Sequence, residues 1–206
     1  MFIDIIPPEN ETNTAITGEE LRIERYVAEH HELPERLSDL PKVPGEFDRD
    51  VDGWGKPLVY APQKDGSVVV GSPGKEGQHN ARFIRFSIIL PEDQADQEAQ
   101  FWTYDNFRVI ETSIRDYVAT QHRLPKSLAD IDIRAHAYLN DRWDGPIAYS
   151  PEADGSVILA SHGKPGSGQV FSVQFSVPGV VSTGEATETG ESRDVLPKSW
   201  LSATRP

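Results

Sequence analysis

The side chains able to do chemistry in these 206 residues are spaced poorly for doing it. Cysteine is absent, which removes disulfides, thiolate catalysis and Cys-ligated zinc together. His30, His31 and Glu32 stand in a row, and His122 precedes Arg123. Zinc on a helix prefers histidines one turn apart on a single face, whereas adjacent residues point to different faces. These histidines instead suit a helix end, where the terminal carbonyls attract a cation. His79, His136 and His162 are isolated. Ser161 and His162 are neighbours in a run of strand character, so they face opposite ways and form no nucleophile and base. Asp65 and Asp154 each precede a glycine and read as turn formers rather than paired acids. No phosphate loop or dinucleotide fingerprint is present. Abundant carboxylates are all that speaks for a hydrolase, and the expectation is a protein that is not an enzyme.

A formal charge of -13 with pI near 4.8, and no cluster of Lys and Arg, argue against a nucleic-acid partner, because a phosphate backbone is bound by grouped basic side chains. The run MFIDII at the amino end is too short for a membrane span and lacks the layout of a signal peptide.

Stepping from side chains to the stretches that hold them, one segment returns. DGWGKPLVYAPQKDGSVVVGSPGKEG, from Asp52, is repeated as DRWDGPIAYSPEADGSVILASHGKPG, from Asp141. Asp52/Asp141, Trp54/Trp143, Pro57/Pro146, Tyr60/Tyr149, Ser72/Ser161 and Gly74/Gly163 recur at one constant spacing without a gap. A period of this length is the signature of a duplicated unit. Two modules are therefore expected, at 1–91 and 92–178, with a flexible tail at 179–206 rich in Thr, Ser, Gly and Glu. Leu196, Trp200 and Leu201 would be its anchor.

The expected fold class is α+β, each module having one helix against a small antiparallel sheet. Pro7 and Pro8 suggest an extended lead-in, with Phe2, Ile3, Ile5 and Ile6 docking on the core. Thr17 and Glu20 form a capping box that would start the first helix, with Leu21, Tyr26, Val27 and His30 as its periodic residues and Pro34 as its stop. A second long helix, starting near residue 92 or 93, is predicted by Ala95, Ala99, Trp102, Ile110, Ile114, Tyr117 and Val118. Strands are expected at 58–60, 67–71, 82–90, 147–149, 156–161 and 170–177, with a hairpin turn at Lys64-Asp65-Gly66.

The combination of a helix, Leu33-Pro34, Leu37-Ser38-Asp39-Leu40, Asp52-Gly53-Trp54-Gly55-Lys56-Pro57-Leu58-Val59-Tyr60 and Ser72-Pro73-Gly74-Lys75-Glu76-Gly77 resembles the soluble part of the type II secretion major pseudopilin, the G-type subunit. The second copy carries Leu124-Pro125, Leu128-Ala129-Asp130-Ile131, Trp143, Pro146, Tyr149, Ser161 and Gly163, with Asp144 where that family has glycine. The resemblance covers most of residues 20–90 and 108–177. It implies a periplasmic or cell-surface protein of the bacterial envelope that works by assembly, with other envelope or secretion-system proteins as partners. The family's filaments form through an amino-terminal hydrophobic helix, and none is visible in the given chain. If Met1 is the natural start, an adaptor is expected rather than a filament subunit; if the natural chain begins upstream, a membrane helix is expected to precede Met1.

The resemblance also implies calcium in the last loop of a module. The first copy offers the Pro73 carbonyl and the Glu76 carboxylate, but no further acid before Leu90; in the second, Pro165 replaces the acid. Calcium needs six to eight hard oxygens, so the expected cofactor is none, or calcium in the first module alone. Trp54 and Trp143 read on physical grounds as core staples, each laying an apolar face on the core while its N–H reaches a loop carbonyl. An alternative function is binding of carbohydrate or peptide through exposed aromatics such as Trp102, Tyr104 or Trp200.

Overall fold

Pro8, not Thr17, begins the first helix. The computed structural model describes residues 6–41, 50–76, 80–90, 93–131 and 138–180, and in it α1 runs Pro8–His30. Proline lacks the N–H that a helix start leaves unpaired anyway and arrives with the helical φ. Glu9 and Glu11 add acids to the first turn, where the helix dipole favours them. The Pro7-Pro8 pair thus starts a helix where an extended lead-in was expected, and Thr17 lies mid-helix. Ile6 is 59% exposed rather than docked; Phe2, Ile3 and Ile5 lie outside the described residues.

The second helix, α2, spans Gln94–Gln121 from Asp93 as its cap, as its periodicity predicts. Both helices end alike, with His31 (φ 59) and His122 (φ 53) in the left-handed conformation and their N–H groups on Val27 and Val118 carbonyls. Short 3-10 turns follow at Leu37–Asp39 and Leu128–Asp130.

The strands are β1 (Val59–Pro62), β2 (Ser67–Ser72), β3 (Arg82–Ser87), β4 (Ala148–Pro151), β5 (Ser156–Ser161) and β6 (Phe171–Ser176). Gly66 (φ 82) and Gly155 (φ 83) close the β1–β2 and β4–β5 hairpins. Asp65 and Asp154 accept the Ser67 and Ser156 backbone N–H at the same turns. All six strands join one antiparallel sheet in the order β1-β2-β3-β6-β5-β4. Among the described residues the fold is therefore α+β, two α-helices and a six-stranded sheet, and both copies share the sheet.

The junction is β3 with β6. Ile84 faces Val173, its own counterpart in the repeat, flanked by Phe83–Gln174 and Arg85–Ser172. Exchanging the copies maps each flanking pair onto the other, so a pseudo-two-fold axis passes through Ile84 and Val173. This is the self-complementary geometry of a symmetric dimer interface, here within one chain. One core cluster likewise takes Ile16, Ile23 and Phe86 from the first copy and Phe107, Ile110, Ile114, Phe171 and Phe175 from the second. Each such side chain contributes roughly 1.5–3 kcal/mol on burial.

The helices run antiparallel, since Gln100 near the start of α2 meets Glu20 and Glu24 in the second half of α1. Their buried stripes differ from the predicted ones. Leu21 is 58% and Trp102 39% exposed, whereas Glu19, Glu20, Arg22 and Glu24 are buried. Charged residues on the inner face of α1 disguise its period. Among the described residues, no helix is long and apolar enough to cross a membrane.

Candidate functional site

The repeated residues build the same hydrogen-bonded frame twice. Asp52 is buried; its Oδ1 accepts the backbone N–H groups of Trp54 (2.9 Å) and Lys56 (2.8 Å), and its Oδ2 accepts the Ser72 hydroxyl (2.6 Å). Ser72 Oγ in turn accepts the Gly74 N–H at 2.9 Å. Asp141 repeats each bond, with Trp143, Gly145, Ser161 and Gly163 in the corresponding roles. Gly74 and Gly163 take positive φ, 76° and 60°, as the turn after each serine requires. Pro57 and Pro146 are exposed and bridge to Val51 and Asn140 as the chain enters β1 and β4. Asp144 (φ 63) adopts the left-handed form that Gly55 (φ 79) takes in the first copy.

A second repeated bond ties strand to helix end. The Tyr60 hydroxyl donates to the Pro34 carbonyl and the Tyr149 hydroxyl to that of Pro125, both at 2.8 Å. Burial pushes each phenol up to about 12. Tyr60→Phe and Tyr149→Phe should each lower stability by about 1 kcal/mol. Chemical denaturation should show that loss with an unchanged slope.

Among the described residues, the loop after β2 offers calcium few ligands. Glu76 brings one exposed carboxylate, Pro73 a carbonyl, and the Lys56 ammonium already donates to the Gly74 carbonyl at 3.2 Å. The Lys75 N–H is held by Asn80 Oδ1 at 2.8 Å, as Lys164 N–H is by Gln169 Oε1 at 3.3 Å. One carboxylate and one carbonyl are two of the six to eight oxygens that calcium takes. Gly77 to His79 lie outside the described residues and supply no acid.

The two tryptophans part company. Trp143 stacks on Phe171 at 5.4 Å and donates its indole N–H to Asp96 Oδ1 at 3.3 Å, so its partner is a carboxylate rather than the expected loop carbonyl. Tyr104 meets the same Phe171 edge-on at 6.4 Å. Its hydroxyl donates to the Arg85 carbonyl, and burial raises its pKa well above the usual phenol value. Tyr104 is therefore packed, not an aromatic open to ligand. Trp102 is the exposed one, with Phe101 edge-on at 5.4 Å and the Arg142 guanidinium over its ring. Trp200 lies outside the described residues.

In the first copy, the places of Phe171 and Tyr104 are held by Arg82 and Asn13, neither of which brings an aromatic ring. Trp54 there borders a cleft of ≈ 250 Å³ instead of joining the core, a departure from the core-staple expectation. Glu111 sits beneath this cleft between two cations: Arg82 Nη1 donates to its Oε2 at 2.6 Å and Arg115 Nη2 to its Oε1 at 2.9 Å. Asn13 Oδ1 is buried without a hydrogen-bond partner. Asn13, Arg82, Glu111 and Arg115 give no signal in a single pass along the sequence. Laying one copy on the other exposes them. A second cavity, ≈ 350 Å³, opens over the loop after β5 between Pro146 and Gly168. Its acid, Asp141, is consumed by the frame.

At the opposite end of the helix pair, Gln100 Nε2 donates to Glu20 Oε1 (2.8 Å) and Glu24 Oε1 (3.3 Å). Burial, with the neighbouring Glu24 charge, pushes Glu20 up to about 8, and burial pushes Glu24 up to about 7. Such a pair holds a proton at neutral pH.

Comparison with protein-family models, curated proteins and solved structures finds no match.

Proposed function

We propose that this chain is a non-enzymatic assembly or adaptor protein of the bacterial cell envelope, built of two pseudopilin-like modules and acting beside secretion-system proteins. One observation carries the reading: both copies keep the full Asp–Trp–Ser–Gly frame and the Tyr–Pro bond, and they join through a self-complementary strand pair. The residues retained between copies hold shape; none of them converges on a reacting atom. A module of this kind offers strand edges and helix faces to other subunits. Here β3 and β6 spend their edges on each other, leaving β1 and β4 at the sheet margins and the Phe101–Trp102 pair on α2 exposed. Aromatic residues of that kind are favoured anchors at protein interfaces.

A photo-crosslinking residue at Phe101, in the full chain expressed in its native host, tests this. The expected adduct is a pseudopilin or another secretion-system subunit, identified by mass, from an envelope fraction. Adducts confined to cytoplasmic proteins, or no adduct at all, would overturn the reading.

A further inference from the structure

We propose that the cleft between the start of α1, Trp54 and β3 is a binding site for a neutral sugar, one ring at a time. The proposal goes beyond the assembly role and rests on the contrast between the two copies. Where Trp143, Phe171 and Tyr104 pack ring against ring, the first copy has Trp54, Arg82 and Asn13 and a space of ≈ 250 Å³. The fold thus reaches a filled solution at one of two equivalent places. The open one is not forced by topology, and an unfilled space with an unpaired polar atom costs stability. A local cost without a structural gain marks a functional site.

The chemistry selects the ligand. Asn13 Oδ1 is a buried acceptor without a partner and calls for an O–H or N–H donor. The Arg82 and Arg115 guanidiniums are fixed donors, held by Glu111. Trp54 lines the cleft and, among the described residues, has no ring stacked on it and no acceptor for its indole N–H, so it brings an aromatic surface suited to an apolar C–H face. A pyranose offers all three: hydroxyls that donate, hydroxyls that accept, and an apolar ring face. Charge decides for a neutral one, because Glu9 and Glu111 balance Arg82 and Arg115 around the cleft, while the chain's net charge of -13 repels anions. Size decides for a single ring, since pockets for drug-sized ligands run from about 300 Å³ upward. A peptide adding itself as a strand finds no free edge here, because β3, which borders the cleft, already has β2 and β6 on its two sides.

The test uses the full chain labelled with ¹⁵N and four probes at about 20 mM, a concentration suited to millimolar affinity: maltotriose, triacetylchitotriose, sodium glucuronate and trialanine. Trp54→Phe identifies the Trp54 indole resonance by its loss. That resonance should shift with at least one neutral trisaccharide, and Asn13→Ala should weaken the binding about 10-fold. Because Asn13→Ala deletes an unpaired acceptor, it should melt no lower than the parent, which separates loss of binding from loss of fold. Shifts with glucuronate or trialanine alone, no shift with any probe, or sugar binding unchanged by Asn13→Ala would each overturn the proposal. None of these outcomes bears on the crosslink at Phe101, so the two readings fail separately.

Discussion

Asp141→Ala should melt about 10 °C below the parent, a loss of about 3–5 kcal/mol, and Asp52→Ala should do the same. Each carboxylate is buried and accepts two backbone N–H groups and one serine hydroxyl. Removing it leaves three donors facing a space that water does not readily fill, and charge-assisted bonds are the more costly ones to lose. Asp141→Asn separates the contributions. Its carbonyl still receives the two N–H groups, but its amide meets Ser161 Oγ, which already accepts from Gly163. That variant should therefore lose only about 1–2 kcal/mol. Because the copies share one sheet and one core, both alanine variants should unfold in a single transition that coincides by far-ultraviolet dichroism and tryptophan fluorescence. A calorimetric trace with two peaks, only one of them displaced by Asp141→Ala, would show instead that the halves melt independently.

Glu20→Gln should stabilise the protein at high pH and flatten its pH dependence. In the native state the Glu20 carboxyl is pushed up to about 8 and that of Glu24 up to about 7, against 4.5 for the free side chain. The folded chain therefore holds protons that the unfolded chain has released. Stability from this pair is fully present below the unfolded value and is lost as pH rises through about 7 to 8. The parent should lose several kcal/mol between about pH 5 and about pH 9. Glutamine keeps the acceptor that Gln100 uses and removes the charge, so Glu20→Gln should lose much less across that range. If denaturation at both ends of it gave the same difference for parent and variant, the general acidity of the chain, not this pair, would be responsible.

Much of this architecture is legible in the sequence, for local reasons. Asp65-Gly66 and Asp154-Gly155 announce hairpins because a positive φ must fall on those glycines. The long periodic run of Ile110, Ile114 and Val118 announces α2. The duplication itself is visible without any structure. The start of α1 is not, because Pro7 and Pro8 serve equally to forbid a helix and to begin one, and only the chain after them decides. The inner face of α1 is hidden for another reason: Glu20 and Glu24 are buried through Gln100, 80 and 76 residues away, and no local rule anticipates that. The pairing of β3 with β6 is likewise silent, since the alternation in Phe83–Ile84–Arg85–Phe86 fixes a strand with two faces but not its neighbour. Of the site, the frame residues were legible as a repeat. The cleft came from the differences between copies, Arg82 against Phe171 and Asn13 against Tyr104, which a search for shared residues passes over.

The strand pair at Ile84 and Val173 also bears on how the chain is made. On a ribosome, β3 emerges with β2 on one side and nothing on the other, and its partner is encoded a whole module later. At about 5–20 residues per second, the nascent first half waits for several seconds with that edge bare. An open edge is a template for any other strand, including the same edge on the next polypeptide along the message. Since the junction is self-complementary, a β3 from each of two nascent chains satisfies nearly the same geometry. Close spacing of chains on a polysome would therefore set that pairing against the closing of β3 onto β6 of its own chain.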